Sequence, residues 1–199
     1  MITSIGRSPL SAPPSDDLSR LASPDVRVLA VDPGASRGAW CLLTGTPEDD
    51  KVGDLPFTKV DGEFRVDHAR LCSVLDALRP DIFVVERVGG FPGDSPHSAF
   101  RFGFSCGLIE AAMSGRGPIV RTPPGEWKRA ALIFKHAKDA SRKEAAERLP
   151  HLAGQLSRKR DVDRADAALM ALTVRERLLD PLSDPKIVEF AASKKEIPD

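Results

Sequence analysis

Cysteine is scarce: Cys41, Cys72 and Cys106 are the only three in 199 residues. They are odd in number, far apart and set among apolar neighbours. That argues against a Cys-x-x-Cys metal or redox pair and against a disulfide framework, and it predicts buried thiols in a reducing compartment. Long apolar runs are also missing. Nothing approaches the roughly 18 consecutive apolar residues that cross a bilayer, and the N-terminus lacks the basic-then-apolar pattern of a secretory signal. The expectation is a cytoplasmic protein with no membrane association. No internal repeat is present, so a repeat array is not expected. Net charge is absent as well, with 29 basic residues balancing 29 acidic ones. The balance conceals a segregation. Arg116, Arg121, Lys128, Arg129, Lys135, Lys138, Arg142, Lys143, Arg148, Arg158, Lys159 and Arg160 face only Glu126, Asp139, Glu144 and Glu147 over the same span. A basic lobe on an otherwise acidic chain points to a polyanionic partner, although a charge run of this kind is also what a solvated helix face looks like.

A composition of 41% hydrophobic and 29% charged residues suits one globular domain with a sizeable core. Residues 1–25, rich in Ser and Pro and without apolar periodicity, read as a disordered leader. Residues 26–179 read as the domain and 180–199 as a loose tail.

The domain is organised around Val26-Arg27-Val28-Leu29-Ala30-Val31-Asp32-Pro33-Gly34. The apolar run predicts a buried strand, and Pro33-Gly34 cannot continue it. Asp32 is thereby held at a carboxyl strand edge, where open α/β sheets build their sites. Asp81-Ile82-Phe83-Val84-Val85-Glu86 repeats the theme, again ending in an acid, as expected for a central strand covered on both faces. Between them, Gly38 to Leu43 reads as an antiparallel return strand, Leu55 to Val60 as a third strand, and Val66 to Leu78 as a helix with Leu71, Val74, Leu75 and Leu78 on one face. Ser98 is the expected N-cap of a helix to about Ser114, apolar nearly all round, with Phe100, Phe104 and Leu108 on one side and Gly103, Gly107 and Ala111 on another. Such a helix calls for cover on two sides. Pro118 to Arg121 reads as a short strand, and Pro124 to Ile133, Asp139 to Leu149 and Ser157 to Leu179 as helices.

The last helix carries Asp163 and Asp166, three apart and so on one face. With Asp32 and Glu86 they make a candidate cage of hard oxygen ligands suited to Mg²⁺. Two such ions could activate a water and stabilise the leaving oxygen in an in-line phosphodiester displacement. Taken singly, each acid also fits a turn, a strand exit or a wet helix face; the case rests on the four together.

Val28 to Gly38, Val84-Val85-Glu86-Arg87-Val88 and Asp163-Arg164-Ala165-Asp166-Ala167 resemble the RuvC-type Holliday-junction resolvases of the RNase H-like superfamily. The stretch from Phe91-Pro92-Gly93 through Ser98-Ala99-Phe100 to Gly107-Leu108-Ile109-Glu110 resembles the phage and prophage branch. The resemblance covers about Val26 to Val174. It implies an α/β RNase H-like fold, a mixed five-stranded sheet with helices on both faces, acting as a metal-dependent endonuclease that resolves four-way DNA junctions. It also implies that Asp32, Glu86, Asp163 and Asp166 are catalytic and hold two Mg²⁺ or Mn²⁺ ions, and that the protein is a homodimer through the Ser98–Ser114 helix. DNA contacts are expected from Arg87, Phe91, Lys128, Lys138, Arg142, Lys159 and Arg160. In cellular members an aromatic closely follows the second acid; here Arg87-Val88-Gly89-Gly90 intervene before Phe91, which leaves core packing as its other reading. A nuclease of the same fold acting on flaps or RNA–DNA hybrids, and a junction-binding protein that does not cleave, are the alternatives. The sequence names no branch-migration helicase or other partner.

Overall fold

A computed structural model describes residues 21–89, 93–134, 136 and 139–180. Phe91 and Lys138 lie outside the described residues. The chain forms a five-stranded sheet in the order β3-β2-β1-β6-β7, comprising β1 (Val28–Asp32), β2 (Ala39–Leu43), β3 (Lys51–Asp54), β6 (Ile82–Glu86) and β7 (Ile119–Thr122). β2 pairs antiparallel with both β1 and β3, whereas β1–β6 and β6–β7 are parallel. The sheet is mixed, as expected.

The apolar runs of β1 and β6 are continuous because each strand feeds two cores. Val28 and Ala30, with Ile82 and Val84, face a core shared with Trp127, Ala165, Ala168 and Leu169. Leu29 and Val31, with Phe83 and Val85, face another shared with Leu71, Leu75, Ile109 and Met113. Period-two alternation sorts neighbouring residues to opposite faces, so neither strand can spare a polar position until its end. One face is covered by α1 (His68–Leu78) and α2 (Pro96–Met113), the other by α3 (Pro124–Ala130), α4 (Ala140–Arg148), α5 (Ala153–Leu156) and α6 (Val162–Leu179). No described helix is long and apolar enough to cross a membrane.

Several local expectations need correction. The third strand of the sheet is Lys51–Asp54, not Leu55 to Val60. Leu55 is buried as the chain leaves the sheet, and β4 (Phe57–Val60) pairs instead with β5 (Glu63–Val66) in a separate hairpin. The cause is Asp61-Gly62, whose φ angles of 52° and 82° make the left-handed tip that a two-residue hairpin turn requires. Val66 therefore belongs to β5, and the helix starts at His68 with Asp67 accepting from the Arg70 N–H at 3.1 Å. The cap of α2 is Ser95, whose Oγ accepts from the Ser98 N–H at 3.1 Å; Pro96 fits at the first helical position because it has no N–H to satisfy. The long terminal helix begins at Val162 rather than Ser157. Asp161 turns its carboxylate back onto the Arg158 N–H at 3.0 Å and breaks the run with a single 3₁₀ turn, Lys159–Asp161. At the other end of the domain Leu21 is buried in the core, so packing reaches a few residues upstream of Val26.

Among the described residues, α2 is covered on one face only. Ser105, Ile109, Ala112 and Met113 are buried, but Phe100 is 73% and Phe104 45% exposed. Gly103, Gly107 and Ala111 are also exposed, and a Cβ added at either glycine would meet nothing within 4 Å. The small-residue stripe does not seat this helix on the sheet.

Candidate active site

Asp32 and Glu86 are the last residues of neighbouring parallel strands, one position beyond the paired Val31 and Val85. In the period of two, Asp32 follows Ala30 and Glu86 follows Val84, so both acids point to the face that α6 covers. The turn after β1 is tight: a Cβ on Gly34 would lie 1.9 Å from the Arg37 carbonyl oxygen. Only glycine permits that approach, and it brings Arg37 back over the site. α6 enters from the same side with Asp163 in its first turn and Asp166 one turn further on. It is tied to β3 by a two-point ion pair from Arg164 to Asp54, at 2.6 and 2.7 Å.

The four acids feel one another. Burial, then the negative charges of Asp166, Glu86 and Asp163, push Asp32 well above the ordinary carboxylate range, with Lys128 pulling the other way. Burial also pushes Asp166 up to about 6, against a hydrogen bond from Ser141 and the charge of Lys128, and with Glu86 and Asp163 adding to the rise. Asp163 is raised by burial, lowered by Arg37 and raised again by Asp54, with a net upward shift. Among the described residues, one buried oxygen of Asp166 has no hydrogen-bond partner.

Two of the other acids are partly occupied. Glu86 Oε1 accepts from the Trp127 indole Nε1 at 2.9 Å, and Asp163 pairs with Arg37 Nε at 3.1 Å. Accordingly, among the described residues, no three His, Cys, Asp or Glu side chains are drawn together as a finished ion cage. The donor set nevertheless fits hard divalent cations. It is all oxygen, its members repel one another, and one buried Asp166 oxygen is left, among the described residues, with no hydrogen-bond donor.

Beside the acids lies an open cleft of about 840 Å³ whose lining includes Arg37, Lys128, His136, Lys159, Arg160 and Asp166. The structure thus brings Lys128, Lys159 and Arg160 to the acids. Arg87 is exposed just beyond Glu86, and its N–H extends the sheet to the Thr122 carbonyl at 2.8 Å. Arg142 is differently employed: its guanidinium is held by Asp139 at 2.5 Å and the Ser157 carbonyl at 2.6 Å, with the side chain 16% exposed. It braces α4 against the loop before α6. Asp161, which shares the acidic cluster in sequence, is 2% exposed; burial raises its pKa, but hydrogen bonds and charge from Arg158 outweigh that and hold it low. It is a structural acid. Sequence reasoning missed Arg37 and Ser141, and it missed the contact of Trp127 with Glu86. Arg37 had a signal in its position close behind Asp32-Pro33-Gly34; the other two depend on contacts between distant segments.

Over 158 residues the chain is 26% identical to the crossover junction endodeoxyribonuclease RuvC of Magnetococcus marinus, covering 76% of this chain and 84% of that protein. The fold matches the Thermus thermophilus RuvC structure with a TM-score of 0.53 and 22% identity, over 77% of this chain and 96% of the other. It matches T. thermophilus RuvC in complex with Holliday junction substrate with a TM-score of 0.54 and 18% identity, over 79% and 96%. No protein-family model matches the chain.

Proposed function

We infer that this chain is a RuvC-type resolvase of the RNase H-like fold, a structure-selective endonuclease that hydrolyses phosphodiesters in four-way DNA junctions. The observation that carries the reading is the meeting of Asp32, Glu86, Asp163 and Asp166, from two strand ends and one helix, beside a cleft lined with cations. Asp32, Glu86 and Asp166 would hold divalent ions, Mg²⁺ or Mn²⁺, with Asp163 joining once Arg37 releases it. Bound there, two such ions supply an activated water and stabilise the leaving oxygen of an in-line displacement. Lys128, Lys159, Arg160 and Arg37 hold the phosphates of the strand that enters the cleft, and Arg87 contacts the duplex beyond Glu86. Phosphate contacts position the substrate; they do not read its sequence.

A four-way junction is resolved by cuts in two strands, and the described chain carries one acidic site. We therefore propose a homodimer acting in the cytoplasm, with α2 at the two-fold interface. Gly103, Gly107 and Ala111 leave an open, smooth strip that permits close helix packing, and exposed Phe100 and Phe104 flank it with area to bury.

Cleavage of four-way, flap, RNA–DNA hybrid and linear duplex substrates of matched sequence, with Mg²⁺, tests the function. Paired, symmetric nicks on the four-way junction support it. Preference for flaps or hybrids would make the chain a different RNase H-like nuclease, and tight junction binding without cleavage would make it a binding protein.

A further inference from the structure

Trp127 is 1% exposed, yet both its edge and its face are turned to functional groups. The indole N–H donates to Glu86 Oε1 at 2.9 Å. The Lys128 ammonium lies over the ring, 5.0 Å from its centroid, where the ring's negative face attracts a cation. From that place Lys128 favours the ionised forms of both Asp32 and Asp166. Volume alone would be supplied by phenylalanine. What tryptophan adds is a directed donor, which when buried requires an acceptor, and the acceptor it meets is a carboxylate of the site.

We propose that Trp127 is a positioning residue: its N–H fixes one oxygen of Glu86 so that the other is presented to a divalent ion, while its ring sets the distance from that ion-holding acid to the phosphate-holding Lys128. The inference rests on the reading that Glu86 holds such an ion. A carboxylate with one oxygen tied cannot rotate away, and outer partners of ion ligands commonly change affinity or activity by about 10–100-fold when removed. The chain's own layout makes the arrangement compact. β7 pairs Thr122 with Glu86, Pro123 and Pro124 turn the chain straight into α3, and the inward position of that short helix is Trp127.

The test uses the full-length protein labelled with ¹⁵N. With two tryptophans, it has two indole N–H resonances, assigned by Trp40→Phe. On titration with MgCl₂ the Trp127 resonance should shift saturably, with the Mg²⁺ dependence of cleavage, while that of Trp40 stays in place. Trp127→Phe keeps a ring face and loses the N–H; it should weaken Mg²⁺ binding about ten-fold or more and lower kcat, while junction affinity in EDTA and its salt dependence stay as in wild type. Replacement of Trp127 by β-(3-benzothienyl)alanine keeps the bicyclic shape without the N–H, and should reproduce that loss in a protein whose circular dichroism shows the wild-type fold at the assay temperature. Trp127→Leu, which removes the face as well, should add a loss of junction affinity in EDTA. Wild-type Mg²⁺ affinity in the Phe and benzothienyl proteins, or an indole signal indifferent to saturating Mg²⁺, would overturn the inference and leave the ion site standing. A wild-type protein that binds no Mg²⁺ even with junction DNA would bring down both.

Discussion

Asp166→Asn should make the ion-free protein more stable while abolishing its chemistry. Asp166 is pushed up to about 6 from an ordinary 3.8, so the folded protein keeps this proton to higher pH than the unfolded chain does. Stability must therefore fall as pH rises through that window and level off above it. A rise of that size costs the folded state about 3 kcal/mol at pH 8, shrinking to about 1 kcal/mol at pH 4.5. Asparagine carries neither the burial cost of the charge nor the repulsion from Glu86 and Asp163. For a chain of this size the gain corresponds to a rise in Tm of about 6–12 °C at pH 8 in EDTA. Thermal and urea denaturation of wild type and variant at the two pH values measure it. Adding Mn²⁺ or Mg²⁺ should then stabilise wild type and leave the variant unmoved, because a ligand that binds only the folded state raises its stability. A variant no more stable than wild type at pH 8 in EDTA, or one whose advantage is larger at pH 4.5, would refute the reasoning.

The neutralised acids Asp32→Asn and Glu86→Gln should each abolish cleavage and Asp163→Asn at least severely impair it, all three retaining junction binding in EDTA; near-normal turnover by either of the first two would remove them from the ion site. Junction binding should weaken steeply with salt, each neutralised phosphate adding about −0.9 to the log–log slope. The double variant Lys128→Ala with Lys159→Ala should be measurably shallower in a fluorescence-anisotropy titration. Gly107→Arg, placed where the helix faces open space, should give folded monomers by sedimentation that bind junctions poorly and lose coordinated cutting. Asp161→Ala frees the Arg158 N–H and guanidinium and should cost about 1–2 kcal/mol in urea denaturation, with no direct effect on ion affinity.

Much of the site is legible in the sequence because its acids end apolar runs. A strand buried on both faces has no room for a charge, so Asp32 and Glu86 mark the strand exits in the sequence as plainly as in the structure. Asp163 and Asp166 are legible by helical spacing. The hairpin is not, because Asp61-Gly62 is its only strong signal: β4 is largely exposed and does not alternate, and β5, although Glu63-Phe64-Arg65-Val66 alternates, is only four residues long and buries Val66 alone. Ser98 reads as the cap in place of Ser95 because both are serines at the start of the same segment, and what distinguishes them is the non-helical ψ of 144° at Ser95. Arg142 reads as a DNA contact in a basic run, and nothing in that run shows that Asp139 and the Ser157 carbonyl hold its guanidinium. Charge composition locates a surface; only packing shows which charges are free. The exposed side of α2 shows a like limit, since apolar residues all round a helix announce that cover is needed without saying whether the chain itself supplies it.

The most direct measurement of the central claim is anomalous diffraction from crystals of the protein grown or soaked in Mn²⁺. A cage built by Asp32, Glu86 and Asp166 predicts a strong peak with oxygens of at least two of them at about 2.0–2.2 Å, close to the octahedral distances of Mg²⁺, and its loss in Asp32→Asn. A protein that cleaves junctions with Mn²⁺ while the anomalous signal falls elsewhere, with those carboxylates unliganded, would contradict the account.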